Sequence, residues 1–318
     1  MRSSFNGFSP LMWLSSALAL LGIVLAVSGD SKMMVWFGTE INVFGFLGVL
    51  KLRKVVETCL MKYFLAQTLG SVFIFCGVFL AMSYSYVGLL GDSCLQVGVL
   101  CKLGMFPVHM WFPSVMGSSD WFTLVWLSTV QKLGPLLLAG LLCANSLIML
   151  ISIVGTAFVG SVGGVDKTSV RGILGYSSLL NMGWLCFCSV CFPGLFIFFF
   201  IGYSCQVFLS VGCFWLSSVG KLNSEVTSPA TVMSFLGISS IPPFPVFIFK
   251  LLVIASSVDG LVVLLLIMSS VLSLCYYMRA SCVFLLKGFG TDSRVNSLMW
   301  FYCVMWAVCY SCLGFALL

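Results

Sequence analysis

The sequence predicts an all-α integral membrane protein of about eleven transmembrane helices, and three observations carry that reading. The first is composition: of 318 residues, 61% are hydrophobic and 8% charged, with mean hydropathy +1.16. A soluble chain carries about 25% charged residues. The second is spacing: apolar runs of roughly 20 residues, enough to cross ~30 Å of hydrocarbon, recur along the chain with short links. The third is that the basic residues gather in alternate links.

The expected spans are 11–28, 33–50, 62–83, 88–108, 119–142, 145–164, 171–191, 194–217, 230–256, 260–284 and 298–317. The first follows Arg2 and ends in small residues, Ala26 and Ser28, imitating a signal peptide. Its length and the many similar spans after it favour a membrane helix. No Arg-rich transit peptide is present, so a mitochondrial chain of this kind is expected to be made inside the organelle. The second span holds Glu40 midway. The fourth has Asp92 in its first turn, where a helix-capping role is the plainer reading, and Lys102 further on. The fifth carries Lys132. The sixth contains Gly160 and Gly164, a G-x-x-x-G that marks close helix packing. No strand precedes it, so it is not a dinucleotide loop. The ninth reads ISSIPPFPVFIFK, with Pro242, Pro243 and Pro245 ahead of Lys250. The links leave no room for a soluble domain.

Charge sorting sets the expected orientation. With eleven spans, Arg2, Lys51, Arg53, Lys54, Lys62, Lys167, Arg171, Lys221, Arg279, Lys287 and Arg294 fall on one side of the membrane. The other side has only Lys32. By the positive-inside rule the N-terminus lies on the cytoplasmic or matrix side. Asp30, Glu57, Asp120, Asp166, Glu225, Asp259 and Asp292 lie in links or at span ends. The net charge of +6 is therefore a topology signal and does not point to nucleic acid.

Glu40, Lys102, Lys132 and Lys250 remain at membrane depth. A lysine at the bilayer centre costs roughly 2.5–3.5 kcal/mol, so these groups need a partner or a purpose. Glu40 and one lysine as a static ion pair would fix helix register. One carboxylate does not neutralise three lysines, however, and intramembrane charges are functional by default. At ~4 Å and an effective dielectric of ~20, an ion pair is worth about 4 kcal/mol. That is enough to switch a lysine's proton as Glu40 approaches or recedes, the physics of a proton relay. The lysine spans also look broken: Gly104 and Pro107 follow Lys102, Gly134 and Pro135 follow Lys132, and three prolines precede Lys250. Proline frees carbonyls that protein or cavity water must satisfy. Interrupted spans paired in two halves are a sign of inverted-repeat transporters, and the fourth and ninth spans form such a pair.

Other features are plainer. The 15 cysteines lie mostly within spans, and the C-x-x-C pairs Cys188/Cys191 and Cys309/Cys312 read as buried small apolar residues. His109, the single histidine, is a weaker candidate for proton transfer than for an interfacial hydrogen bond. The residues suggest no nicotinamide, flavin, haem, iron–sulfur or metal site.

The stretch KLGMFPVHMWFP from Lys102 to Pro113, followed by STVQKLGP, resembles the antiporter-like subunit-2 family of mitochondrial NADH:ubiquinone oxidoreductase, respiratory complex I. So do TEIN around Glu40, KYFLAQ from Lys62, SVRGILGYSSLLNMGW from Ser169, PPFPVFIFK ending at Lys250 and YYMR ending at Arg279. The matches run in the family's order over roughly residues 36–285. The resemblance implies two inverted five-helix repeats, about 11–142 and 145–284, plus a final helix at about 298–317. It implies a Glu40–Lys102 pair, Lys132 as central relay and Lys250 as exit-side group. It implies no cofactor on this chain; NADH, flavin, iron–sulfur clusters and ubiquinone are used by other subunits of the complex. The expected setting is the mitochondrial inner membrane, among membrane-arm partners and lipid, with the N-terminus in the matrix and the C-terminus in the intermembrane space. Two departures stand out: Asn181 replaces a usual histidine, and PPFPVF lacks a glycine that commonly follows the prolines. The expected function is proton translocation coupled to electron transfer from NADH to ubiquinone. The alternatives are an independent cation/proton antiporter and a structural scaffold with static ion pairs.

Overall fold

The computed structural model describes residues 9–29, 31–81, 85–142, 146–219, 229–239, 241, 244–257 and 259–286. Regular structure among these residues is entirely helical. In order the helices are α1 (Pro10–Ser28), α2 (Lys32–Leu52), α3 (Glu57–Ala81), α4 (Ser85–Leu103), α5 (Trp111–Ser118), α6 (Trp121–Ser128) and α7 (Val130–Leu142). They continue with α8 (Leu147–Val165), α9 (Val170–Cys191), α10 (Pro193–Val219), α11 (Pro229–Ile238), α12 (Pro245–Ser256) and α13 (Gly260–Leu286). Among the described residues, eight stretches of helix are long and apolar enough to cross a membrane. The protein is thus an all-α integral membrane protein. The expected span 298–317 lies outside the described residues. So do Pro242, Pro243, the pair Cys309/Cys312, Arg2, Asp30, Lys221, Glu225, Lys287, Asp292 and Arg294.

Side-chain placement follows the membrane setting. Large apolar residues such as Leu14 and Leu21 on α1, Phe79 on α3 and Leu261 on α13 face outward. Small and polar residues turn inward and let backbones approach. On α2, a side chain at Gly38 would come within 2.5 Å of the Ala26 backbone nitrogen on α1, so the α1–α2 contact requires glycine there.

The chain forms two compact units. The first comprises Met1–Thr156 with Ser189–Cys191, and the second Ala157–Cys188 with Phe192–Leu318. An aromatic chain lies in the core of the first unit: Phe46 against Tyr63 at 5.3 Å, Tyr63 against Trp111 at 5.6 Å, and Trp111 against Phe112 at 5.6 Å. In the second unit Phe199 stacks on Phe249 at 5.8 Å, and Phe214 meets Phe235 at 4.7 Å.

Several boundaries differ from the sequence reading: α3 begins at Glu57, ahead of the expected 62, and the others lie near the glycines and prolines. The fourth span stops at Leu103, well short of 108. Gly104 takes φ +67°; its N–H donates to the Cys101 carbonyl, and the Met105 N–H to the Leu100 carbonyl, at 3.3 and 3.0 Å. That is a Schellman stop, so a glycine ends α4 before Pro107 is reached. The link after Pro113 is helical as part of α5, because proline is tolerated in a helix's first turn. The fifth span breaks before Lys132, between α6 and α7, and not at Gly134–Pro135. Pro135 lies inside α7. It has no N–H for the Gln131 carbonyl four residues back, and the helix yields on that weakened side. Thr129 there leaves helical geometry at φ −119°, ψ −77°, its hydroxyl donating to the Val125 carbonyl at 2.7 Å. The ninth span is interrupted as expected, between Ile238 and Pro245.

Gly104 generates a direct test. A Cβ there would be strained by the positive φ and would lie 3.0 Å from Trp111 Cζ2. The Gly104→Ala change is expected to destabilise the first unit by about 1–2 kcal/mol. A lower thermal midpoint of the detergent-solubilised protein would register it; an unchanged midpoint would show that the stop tolerates a side chain.

Candidate functional site

In the first unit the ionisable groups come together where three helices meet. Lys102 lies in the last turn of α4 and is 3% exposed. Its Nζ donates to Glu40 Oε1 at 2.5 Å and to Thr39 Oγ1 at 3.0 Å, both on α2. The Lys102 side chain is fully buried, while that of Glu40 keeps 19% of its surface. Thr39 accepts this bond because its own hydroxyl proton is given to the Trp36 carbonyl at 2.7 Å. Gly70 on α3 makes room for the lysine stem: a Cβ there would sit 2.7 Å from Lys102 Cγ. Since the stop at Gly104 leaves last-turn carbonyls without helical donors, α3 supplies one: Gln67 Nε2 donates to the Lys102 carbonyl at 3.1 Å.

Lys132 occupies the first turn of α7 and is 2% exposed. Its Nζ lies 5.2 Å from the centroid of the Phe112 ring, a cation–π distance. The neighbouring Gln131 forms a reciprocal amide pair with Asn42 on α2, each donating to the other at 3.0 Å. Tyr63 on α3 donates to the same Gln131 oxygen at 3.3 Å. A Cβ on Gly134 would lie 2.9 Å from Thr39 Cγ2, so α7 seats against the methyl of the threonine whose hydroxyl holds Lys102.

Lys250 belongs to the second unit. It lies in α12 just past the interruption, is 4% exposed, and holds its Nζ 5.2 Å from the Trp184 ring centroid. Asn181, one turn before Trp184 on α9, is wholly buried. Neither its oxygen nor its nitrogen makes a hydrogen bond to the described protein, nor does Trp184 Nε1. His109 is elsewhere, half-buried between α4 and α5, with Nδ1 3.2 Å from the Pro107 carbonyl and its ring stacked on Phe106. It makes no hydrogen bond or ion pair with Glu40 or the lysines. Among the described residues no cluster of three or more His, Cys, Asp or Glu side chains is placed to hold a metal.

The sequence reading singled out the charges and missed their holders: Thr39, Asn42, Tyr63, Gln67, Gly70 and Gln131. A signal was available, because uncharged polar residues at membrane depth also need partners. Thr39 adjoins Glu40, and Gln131 adjoins Lys132.

An apolar helical bundle with an ion pair and lysines inside it defines a class. The chain belongs to the NADH:quinone oxidoreductase/Mrp antiporter transmembrane family, whose profile matches residues 29–275. It is 32% identical over 289 residues to NADH-ubiquinone oxidoreductase chain 2 of Mytilus edulis, covering 89% of either chain. To the chain of the same name in Lumbricus terrestris it is 30% identical over 287 residues, covering 85% of this chain and 86% of that one. Among solved structures, its fold is similar to that of a chain in respiratory complex I from Thermus thermophilus. There the TM-score is 0.79 at 18% identity, with 96% of this chain and 79% of that chain covered. A chain of the Mrp complex from Dietzia gives a TM-score of 0.70 at 16% identity, with 84% of this chain and 59% of that one covered.

The Glu40–Lys102 pair carries a prediction. Removing one partner of a buried pair costs roughly 3–5 kcal/mol, because the other charge is stranded. Glu40→Gln and Lys102→Met are each expected to lower the thermal stability of the assembled protein, and the double variant to lose less than the sum. Strictly additive losses in such a double-mutant cycle would show that the pair contributes no coupling energy.

Proposed function

We propose that this chain is an antiporter-like membrane-arm subunit of mitochondrial NADH:ubiquinone oxidoreductase, respiratory complex I. In this reading it moves protons across the inner membrane as electrons pass from NADH to ubiquinone. The observation that carries the reading is the Glu40–Lys102 pair together with a buried Lys132 in the same unit, inside a chain that matches its relatives almost end to end. Electron carriers belong to other subunits, and this chain contributes a proton path. An independent cation/proton antiporter has the same fold, but the length and identity of the match to NADH-ubiquinone oxidoreductase chain 2 favour the subunit.

The path follows from the chemistry of the site. Glu40 stabilises the Lys102 ammonium by charge and by a short hydrogen bond. When a rearrangement in the complex draws Glu40 away, Lys102 is left as an uncompensated cation in a dry interior, which costs several kcal/mol, and it gives up its proton. Lys132 takes part as the central relay, its amine set over the Phe112 ring face. Lys250, in the second unit, is the exit-side group, facing the Trp184 ring. Asn181 does not titrate, so it serves that side only as a hydrogen-bonding group. His109, out in the α4–α5 turn, is given no step. This reading includes two inverted repeats at about 11–142 and 145–284, with the matrix on the side of Lys51, Arg53, Lys54 and Lys62, and with membrane-arm subunits and lipid as neighbours.

Lys132→Met keeps most of the side-chain volume and removes the titrating group. Coupled NADH oxidation by the assembled complex is expected to fall by on the order of 10²-fold or more, in the range lost when a proton-transfer group is removed. Full activity with an unchanged proton-to-electron ratio would falsify the relay role of Lys132.

A further inference from the structure

Lys132 stands at the weakest point of its helix. The α6–α7 break falls at Thr129, three residues earlier, and the Lys132 N–H reaches back to the Thr129 carbonyl at 3.0 Å. Pro135 denies the Gln131 carbonyl its usual helical donor. The turn that carries the central lysine thus has a break on one side and lacks a helical bond on the other. Backbone hydrogen bonding alone holds it poorly.

We infer that the Asn42–Gln131 amide pair, braced by Tyr63, is a clamp that positions Lys132. The geometry is specific. Gln131 Oε1 accepts from both Asn42 Nδ2 and Tyr63 Oη, and Gln131 Nε2 donates to Asn42 Oδ1, at 3.0, 3.3 and 3.0 Å. Three bonds from two helices, α2 and α3, converge on one side chain. Asn42 is 2% exposed and Tyr63 fully buried, so little water competes for these bonds. A reciprocal amide pair is directional, fixing both the distance and the rotation of the partners. The clamp fastens the turn bearing Lys132 to the same α2 helix that carries Thr39 and Glu40. The two parts of the site then share one frame, and the position of Lys132 over Phe112 is set by side chains more than by its own helix. All three clamp residues are neutral at the pH of the cell, so they fix place without adding charge beside the lysine. Asn42, Tyr63 and Gln131 are positioning residues on this view and carry no proton themselves. The functional part of the inference rests on Lys132 acting as the relay; the geometric part does not.

The test uses the intact complex. Asn42→Leu keeps the volume and breaks the pair, and Tyr63→Phe removes one bond only. Asn42→Gln combined with Gln131→Asn exchanges the two amides and can re-form the pair. Asn42→Leu is expected to lower coupled turnover by on the order of tenfold or more, as a displaced group does, and to reduce the proton-to-electron ratio. Tyr63→Phe is expected to do the same to a smaller degree, and the exchanged pair to recover most of the loss. A cryo-EM map of the Asn42→Leu complex is expected to show the Lys132 amine displaced from the Phe112 ring. If that map shows Lys132 unmoved, the clamp is wrong, whatever the activity. If Lys132 moves while Lys132→Met proves harmless, the clamp stands and the relay reading fails instead. If Asn42→Leu prevents assembly, Tyr63→Phe and the exchanged pair decide: full coupling in Tyr63→Phe with no recovery in the exchanged pair overturns the inference.

Discussion

A buried ammonium with one carboxylate in reach is the constraint around which the first unit is arranged. Hydrocarbon does not solvate a lysine, so each N–H that Lys102 presents must meet an acceptor from the protein. Glu40 and Thr39 are adjacent on α2 and supply two. The lysine that reaches α2 lies in the last turn of α4, just before the stop at Gly104, and Gly70 on α3 leaves space for its stem. Ending the helix at that depth exposes carbonyls in turn, and Gln67 answers one of them. Around this one ammonium lie a stop at the end of α4 and a gap and a cap on α3.

The fold class was plain from the sequence because hydrocarbon imposes a single length and a single polarity on each span. The boundaries at residues 10, 28, 191 and 260 fall within a residue of the apolar runs. The interiors of the spans were harder. Pro107 and Pro135 are conspicuous and drew attention as the breaks. The chain actually stops at Gly104 through a positive φ, and yields at Thr129 on the far side of the proline's missing bond. A proline marks which carbonyl is freed, whereas the place where the helix opens depends on tertiary partners that no local pattern records.

The site shows the same division. Glu40, Lys102, Lys132 and Lys250 were conspicuous because charge inside an apolar run is costly wherever it occurs. Their holders are ordinary polar residues found in any sequence, and their importance lies in pairings across long sequence separations, such as Asn42 with Gln131 and Gln67 with the Lys102 carbonyl. Asn181 departs in sequence from the histidine usual in the family it resembles. Its two bare polar atoms, deep in the second unit beside Trp184, became apparent only from its surroundings.

Thr39 has a consequence of its own. Its hydroxyl meets the Lys102 ammonium while its methyl rests where Gly134 leaves a hollow. Valine would keep the fit and lose the acceptor; serine would keep the acceptor and leave the hollow empty. The hollow exists only while residue 134 lacks a side chain, and the ammonium arrives only while residue 70 lacks one. Positions 39, 70 and 134 thus fit one another through a single side chain and its surroundings, although they lie on three helices and far apart in the gene.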